Sequence, residues 1–224
     1  QDVHLRDPSA ALDTHILALR EEPGVVGLAP ELQDLAQRSE RWQSYAEVLT
    51  DVLEELPDER SRQAALLEMG RVTRTKLGDP DGALEAYGRV LEMDGRNEEA
   101  LNALEEIHRA GSDWASLVEV LERRLRITPD QENRLDLLAQ LAAAWEGPLA
   151  DPDQASRIYQ KIVDEAPEKL HAHDALIRLL TQQQNHPELR QALQTKREVL
   201  RTMEVPAEVM AIVCTQLGML SYAT

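Results

Sequence analysis

Three Asp-Pro dipeptides, at Asp7-Pro8, Asp79-Pro80 and Asp151-Pro152, stand 72 residues apart each time. The same offset holds across the blocks between them. Trp42 matches Trp114, Glu47-Val48-Leu49 matches Glu119-Val120-Leu121, Leu53 matches Leu125, and Pro57-Asp58 matches Pro129-Asp130. Further on, Ala83 matches Ala155, Tyr87 matches Tyr159, Ala103-Leu104 matches Ala175-Leu176, and Leu117 and Leu121 match Leu189 and Leu193. One offset kept over so many unlike residues is the mark of stacked modules, each burying its apolar side against its neighbours.

Each block divides into 34 and 38 residues at Pro23, Pro57, Gly95, Pro129, Pro167 and Arg201. The four extra residues are about one helical turn, which lengthens the helix or loop before each Asp-Pro. Within the half-units the apolar period is helical. Ala83, Tyr87, Val90 and Leu91 form one stripe, as do Leu117, Leu121 and Leu125, and Ala155, Tyr159, Ile162 and Val163. Asp79 and Asp151 suit helix N-caps with proline in the first helical position, and Asp113 precedes Trp114 in the same way. Gly78, Gly95, Gly111 and the prolines mark stops. Twelve helices are predicted, near residues 8–21, 28–39, 42–56, 59–76, 80–93, 97–110, 114–127, 130–146, 152–165, 168–183, 187–202 and 205–221. The fold class is all-α: one α-solenoid of about six helix pairs over 1–224, in super-repeats 7–78, 79–150 and 151–222.

Composition narrows the partners. The net charge is −17, and only four of the 24 basic residues are lysine (Lys76, Lys161, Lys169, Lys196). That balance opposes nucleic acid and anionic membrane as ligands and favours a basic partner. The excess of arginine over lysine resembles proteins from GC-rich bacterial genomes. Phenylalanine is absent, so Ala and Leu do most of the packing. One cysteine, Cys214, excludes an internal disulfide and a cysteine-based zinc site. No apolar run is long enough for a membrane helix, and the first residues lack a leader pattern, so a cytoplasmic location is expected. A chain beginning at Gln1 also suggests an excised or processed piece.

Ala155-x3-Tyr159-x7-Pro167 reproduces the second-helix half of the tetratricopeptide signature, and the chain resembles a divergent, bacterial-type member of that family. Ala11-x3-His15-x7-Pro23 keeps the spacing with histidine in the aromatic place, and Ala83-x3-Tyr87 keeps it with Gly95 in place of proline. The units beginning near Val26, Glu98 and Leu170 depart further. They put Tyr45, Leu117 and Leu189 in the small slot and Leu49, Leu121 and Leu193 in the aromatic one. The resemblance implies a right-handed superhelix that binds a peptide or protein on its concave face, with no cofactor, no metal and no catalysis.

Carried over by register, the outward positions of each first helix line that face. They are Asp34, Arg38, Glu68, Arg71, Asn102, Glu106, Arg109, Asn133, Asp136, Gln140, His171, Asp174, Arg178 and Gln182. Such a row could read a peptide through amide and guanidinium hydrogen bonds, or be an ordinary solvated helix face. No lysine stands among them, so the Lys/Asn/Arg carboxylate clamp of the family is not expected here.

Other constellations carry less. His171-x-His173 has the wrong spacing for a helical metal pair, because i and i+2 diverge. His173 falls in a core register with Leu101, and His15 and His108 are also expected to pack inward. Cys214 shares an apolar stripe with Met210, Val213 and Leu217, which predicts a buried thiol. Carboxylate pairs such as Glu54-Glu55 and Glu105-Glu106 lie in contexts that predict no desolvation. Trp42, Trp114 and Trp145 are expected between helices.

The helix at 205–221 is apolar with no polar capping helix after it, which predicts a longer array, an adjacent domain stacked on it, or end-to-end homo-oligomers. Four functions follow from the sequence. The leading one is a protein-binding scaffold. The others are a regulatory or sensor arm of a larger multidomain protein, an RNA-reading helical repeat opposed by the charge, and an enzyme for which no motif speaks.

Overall fold

The computed structural model describes residues 7–21 and 30–222. Among them every regular element is helical. The expected marker at Pro23 and the expected helix start at residues 28 and 29 lie outside the described residues. Two compact units are present, residues 1–111 and 112–224.

The first unit holds α1 (Pro8–Glu21), α2 (Pro30–Ser39), α3 (Trp42–Val52), α4 (Glu59–Val72), α5 (Pro80–Met93) and α6 (Glu98–Ala110). The second holds α7 (Trp114–Ile127), α8 (Gln131–Glu146), α9 (Pro152–Glu165), α10 (Leu170–Gln182), α11 (His186–Thr202) and α12 (Ala207–Tyr222). Within each unit every helix packs on the next in sequence, which is the solenoid arrangement. The repeat is visible in the boundaries: α1, α5 and α9 begin at Pro8, Pro80 and Pro152 and each has 14 residues.

Local chemistry explains those starts. The Asp7 carboxylate accepts the amides of Ser9 and Ala10, Asp79 accepts Gly82, and Asp151 accepts Asp153 and Gln154. Each satisfies orphan N–H groups while the following proline, which has none, begins the helix. Side chains at Asp58, Asn97, Asp113, Asp130 and Asn185 cap α4, α6, α7, α8 and α11.

The extra turn before Asp-Pro takes a specific form in the first unit. After α4 the chain widens into a π turn, Thr73–Leu77, where a continuous helix to residue 76 was expected. It ends at Gly78, whose φ of 65° suits glycine. The stop at Gly111 differs by one residue from expectation. Gly111 stays right-handed at φ −78°, and Ser112 takes the left-handed turn at 57°. The same position recurs at Glu40 (56°) and Gln184 (55°), 72 residues to either side.

In the first unit the core runs through Leu12, Leu19, Leu32, Ala36, Tyr45, Val48, Leu49 and Val72. In the second it runs through Leu121, Leu138, Leu141, Ala142, Ile162, Leu176, Leu180 and Leu193. The slots that depart from the small/aromatic pattern are filled densely. Tyr45, Leu117 and Leu189 are 2%, 3% and 5% exposed.

Candidate functional site: the face of the first helices

The outward positions of α2, α4, α6, α8 and α10 are solvent-facing as the register requires. Asp34, Arg38, Arg71, Asn102, Glu106, Arg109, Asn133, Asp136, His171, Asp174, Arg178 and Gln182 are exposed, and Glu68 and Gln140 are half-buried. The arginines on this face are held by neighbours. Arg38 meets Asp34 at 3.3 Å, Arg71 pairs with Glu68, and Arg109 meets Glu105 at 2.8 Å. A partner's carboxylate would therefore compete with an existing pair, as would a basic side chain at Asp34, Glu106 or Asp174, while Asp136 is exposed on α8.

Two ion pairs join consecutive first helices, and the sequence reading caught only one member of each. Arg74, on the π turn after α4, pairs with Glu106 on α6. Glu146 at the end of α8 meets Arg178 on α10 at 2.7 Å. Position 74 becomes 146 and position 106 becomes 178 on adding 72, so the same bridge is built twice with its charges exchanged. Only opposite sign at a shared register could have revealed it, and identity matching discards that signal. Glu146 also accepts the Tyr159 hydroxyl at 3.2 Å, and burial, with the carboxylate adding to it, pushes the phenol pKa up. Glu68 accepts the Tyr45 hydroxyl at 3.4 Å, and there burial, with Glu68 adding to it, raises the phenol strongly. Lys196 on α11 pairs with Asp174. Lys76 stands 4.9 Å from the Trp42 ring centroid and 3.4 Å from the Gln37 side-chain oxygen.

Residues 100–135 match the tetratricopeptide repeat family. The chain carries a tetratricopeptide repeat. The matched segment covers most of α6, all of α7 and the start of α8, a pair whose small and aromatic slots hold Leu117 and Leu121. No curated protein matches the chain. Among solved structures it is similar to MamA (17% identity, 76% of this chain and 94% of that one, TM-score 0.41). It is likewise similar to a tetratricopeptide repeat protein from Parabacteroides merdae (16% identity, 98% and 82%, TM-score 0.44). A MamA segment from Desulfovibrio magneticus RS-1 shows 21% identity over 77% and 95%, with a TM-score of 0.38.

Three expectations about single side chains need correction. Cys214 is exposed, not buried, although Val213 beside it on α12 is 1% exposed. Glu105 is 7% exposed, so one member of the acidic pairs is desolvated, with Arg109 compensating it. His15 and His108 are half-buried and not fully packed.

His173 is inward as expected, at 0% exposure, while His171 is exposed. The His173 Nε2 lies 2.9 Å from the Pro167 carbonyl oxygen and so donates to it, leaving buried Nδ1 without a partner. Burial depresses this imidazole, the Pro167 carbonyl partly opposes that, Lys196 lowers it further, and Asp174 raises it. No group of three metal-binding side chains occurs among the described residues, and no described helix is long and apolar enough to cross a membrane.

Proposed function

We propose that the chain is a non-catalytic scaffold that holds a peptide or protein along the concave side of a single tetratricopeptide array, formed by its first helices. The observation that carries the reading is the set of polar side chains on α2, α4 and α6 of the first unit and on α8 and α10 of the second. They face solvent in register and are steadied by the Arg74–Glu106 and Glu146–Arg178 bridges. Bridged side chains lose less conformational freedom on binding than free ones, which favours a defined contact surface.

The partner segment favoured by the electrostatics is basic. The net charge is −17, and Asp136 is exposed on α8. A cytoplasmic, bacterial setting fits this reading, with neither nucleic acid nor membrane as ligand.

The test is capture of partners on the isolated chain, repeated with Asp136→Lys and Asp174→Lys. A scaffold using this face loses its bound protein. Retention of the same protein by both variants would remove the assignment of the first helices.

A further inference from the structure

Arg134 on α8 shows what an arginine at its register position takes. Its Nη1 donates to the Leu125 carbonyl oxygen at 3.0 Å. Its Nε and Nη2 donate to the two carboxylate oxygens of Glu165, at the end of α9, at 3.4 and 3.1 Å. A planar guanidinium and a carboxylate match in this two-point way.

The 72-residue offset carries Arg134 to Arg62 on α4, and Glu165 to Met93 at the end of α5. The carboxylate is thus replaced by a thioether, which offers a guanidinium no charged acceptor. Arg62 is half-buried, and its Nε is buried without a hydrogen-bond partner. This is the same atom that in Arg134 faces Glu165. A buried donor without an acceptor is unfavourable and marks a place where a ligand atom is accommodated at a gain.

The surroundings differ too. α7 runs unbroken to Ile127, while α3 ends at Val52 and a 3-10 turn follows at Leu53–Glu55. Beside that turn lies a cleft of about 300 Å³, lined by Arg62 and by the apolar side chains of Leu53, Leu66 and Met93. The carboxylates around it are otherwise placed. Glu54 meets Arg89 at 2.9 Å, and Glu59 and Glu92 are exposed at the rim. Asp58, near enough to feel the charge of Arg62, accepts the amide and hydroxyl of Ser61.

We propose that this cleft receives a glutamate side chain from a partner protein, seated on Arg62 as Glu165 is seated on Arg134. The chain itself identifies the occupant, because the acceptor at this register in the second unit is a glutamate carboxylate. Exposed Glu59 and Glu92 repel a free anion and suit a glutamate flanked by lysines. The site takes a side chain within a segment, and Arg62 is not one of the outward positions of α4. It therefore stands whether or not the first-helix face is the main partner surface.

The test follows the Arg62 Nε–H resonance by NMR as acetyl-Lys-Ala-Glu-Ala-Lys-amide is added to the chain. A saturable shift is expected, absent with the glutamine counterpart and with sodium acetate at equal concentration. Met93→Glu supplies the carboxylate from within the chain. The Arg62 resonance should then move without peptide, and peptide affinity should fall at least about tenfold. Met93→Gln, of equal size and without charge, should bind as the unmodified chain does. Circular dichroism verifies folding of both variants. If Met93→Glu does not fold, Arg62→Gln read at the Leu53 amide decides, and retained binding by that chain overturns the proposal. So does the lack of a saturable shift in the unmodified chain, an equal response to the glutamine peptide or to acetate, or full peptide binding by Met93→Glu.

Discussion

At the residue scale the account rests on a few positions where neighbours leave little choice. Gly70 is the clearest. It sits inside α4 because the Tyr87 ring occupies the space of a side chain. Gly70→Ala should destabilise by about 1–3 kcal/mol, the usual cost of overpacking, despite better helix propensity. Adding Tyr87→Leu should recover part of the loss, both read from urea unfolding. His173 makes a pH prediction. Its folded pKa is depressed below the ordinary value near 6.5, so the unfolded chain takes up the proton first. The stability is full above that value and declines as pH falls toward the folded pKa. His173→Leu, which copies Leu101 at the same register, should flatten the decline. Melting curves at descending pH check it; parallel curves for the two chains would remove the effect. His173 was legible as a core position because its register partner is leucine. Cys214 was not, because its stripe shows that it is apolar but not whether anything lies on top.

At the element scale, helix starts were legible because Asp-Pro fixes both cap and first residue. Stops were less so. The sequence marks Gly111, while the left-handed turn falls on Ser112, and on Glu40 and Gln184 by the same register. Non-glycine residues cost roughly 1–2 kcal/mol in that conformation. Glu40→Gly, Ser112→Gly and Gln184→Gly should each raise stability by a fraction of that, seen as a higher melting temperature. The inter-helix bridge gives a further test. Arg178→Glu should cost under about 1 kcal/mol, and Glu146→Arg with Arg178→Glu should restore it, because the first unit uses that polarity in Arg74–Glu106. A double-mutant cycle without coupling would remove the bridge from the account.

At the scale of the whole molecule, repetition made the helix count and pairing readable before any coordinates. It could not identify the surface that binds, since a polar outward row is common to scaffolds and to inert helices. The structure adds a bridge within each unit, Arg74 to Glu106 in the first and Glu146 to Arg178 in the second. The most direct measurement is the affinity of a captured partner for two charge-reversed chains: Asp136→Lys with Asp174→Lys on the first helices, and Asp153→Lys with Asp164→Lys on the second helix α9. The account predicts a loss of at least about tenfold (1.4 kcal/mol) for the first chain and little change for the second. Equal affinities, or a loss confined to the α9 variant, would contradict it.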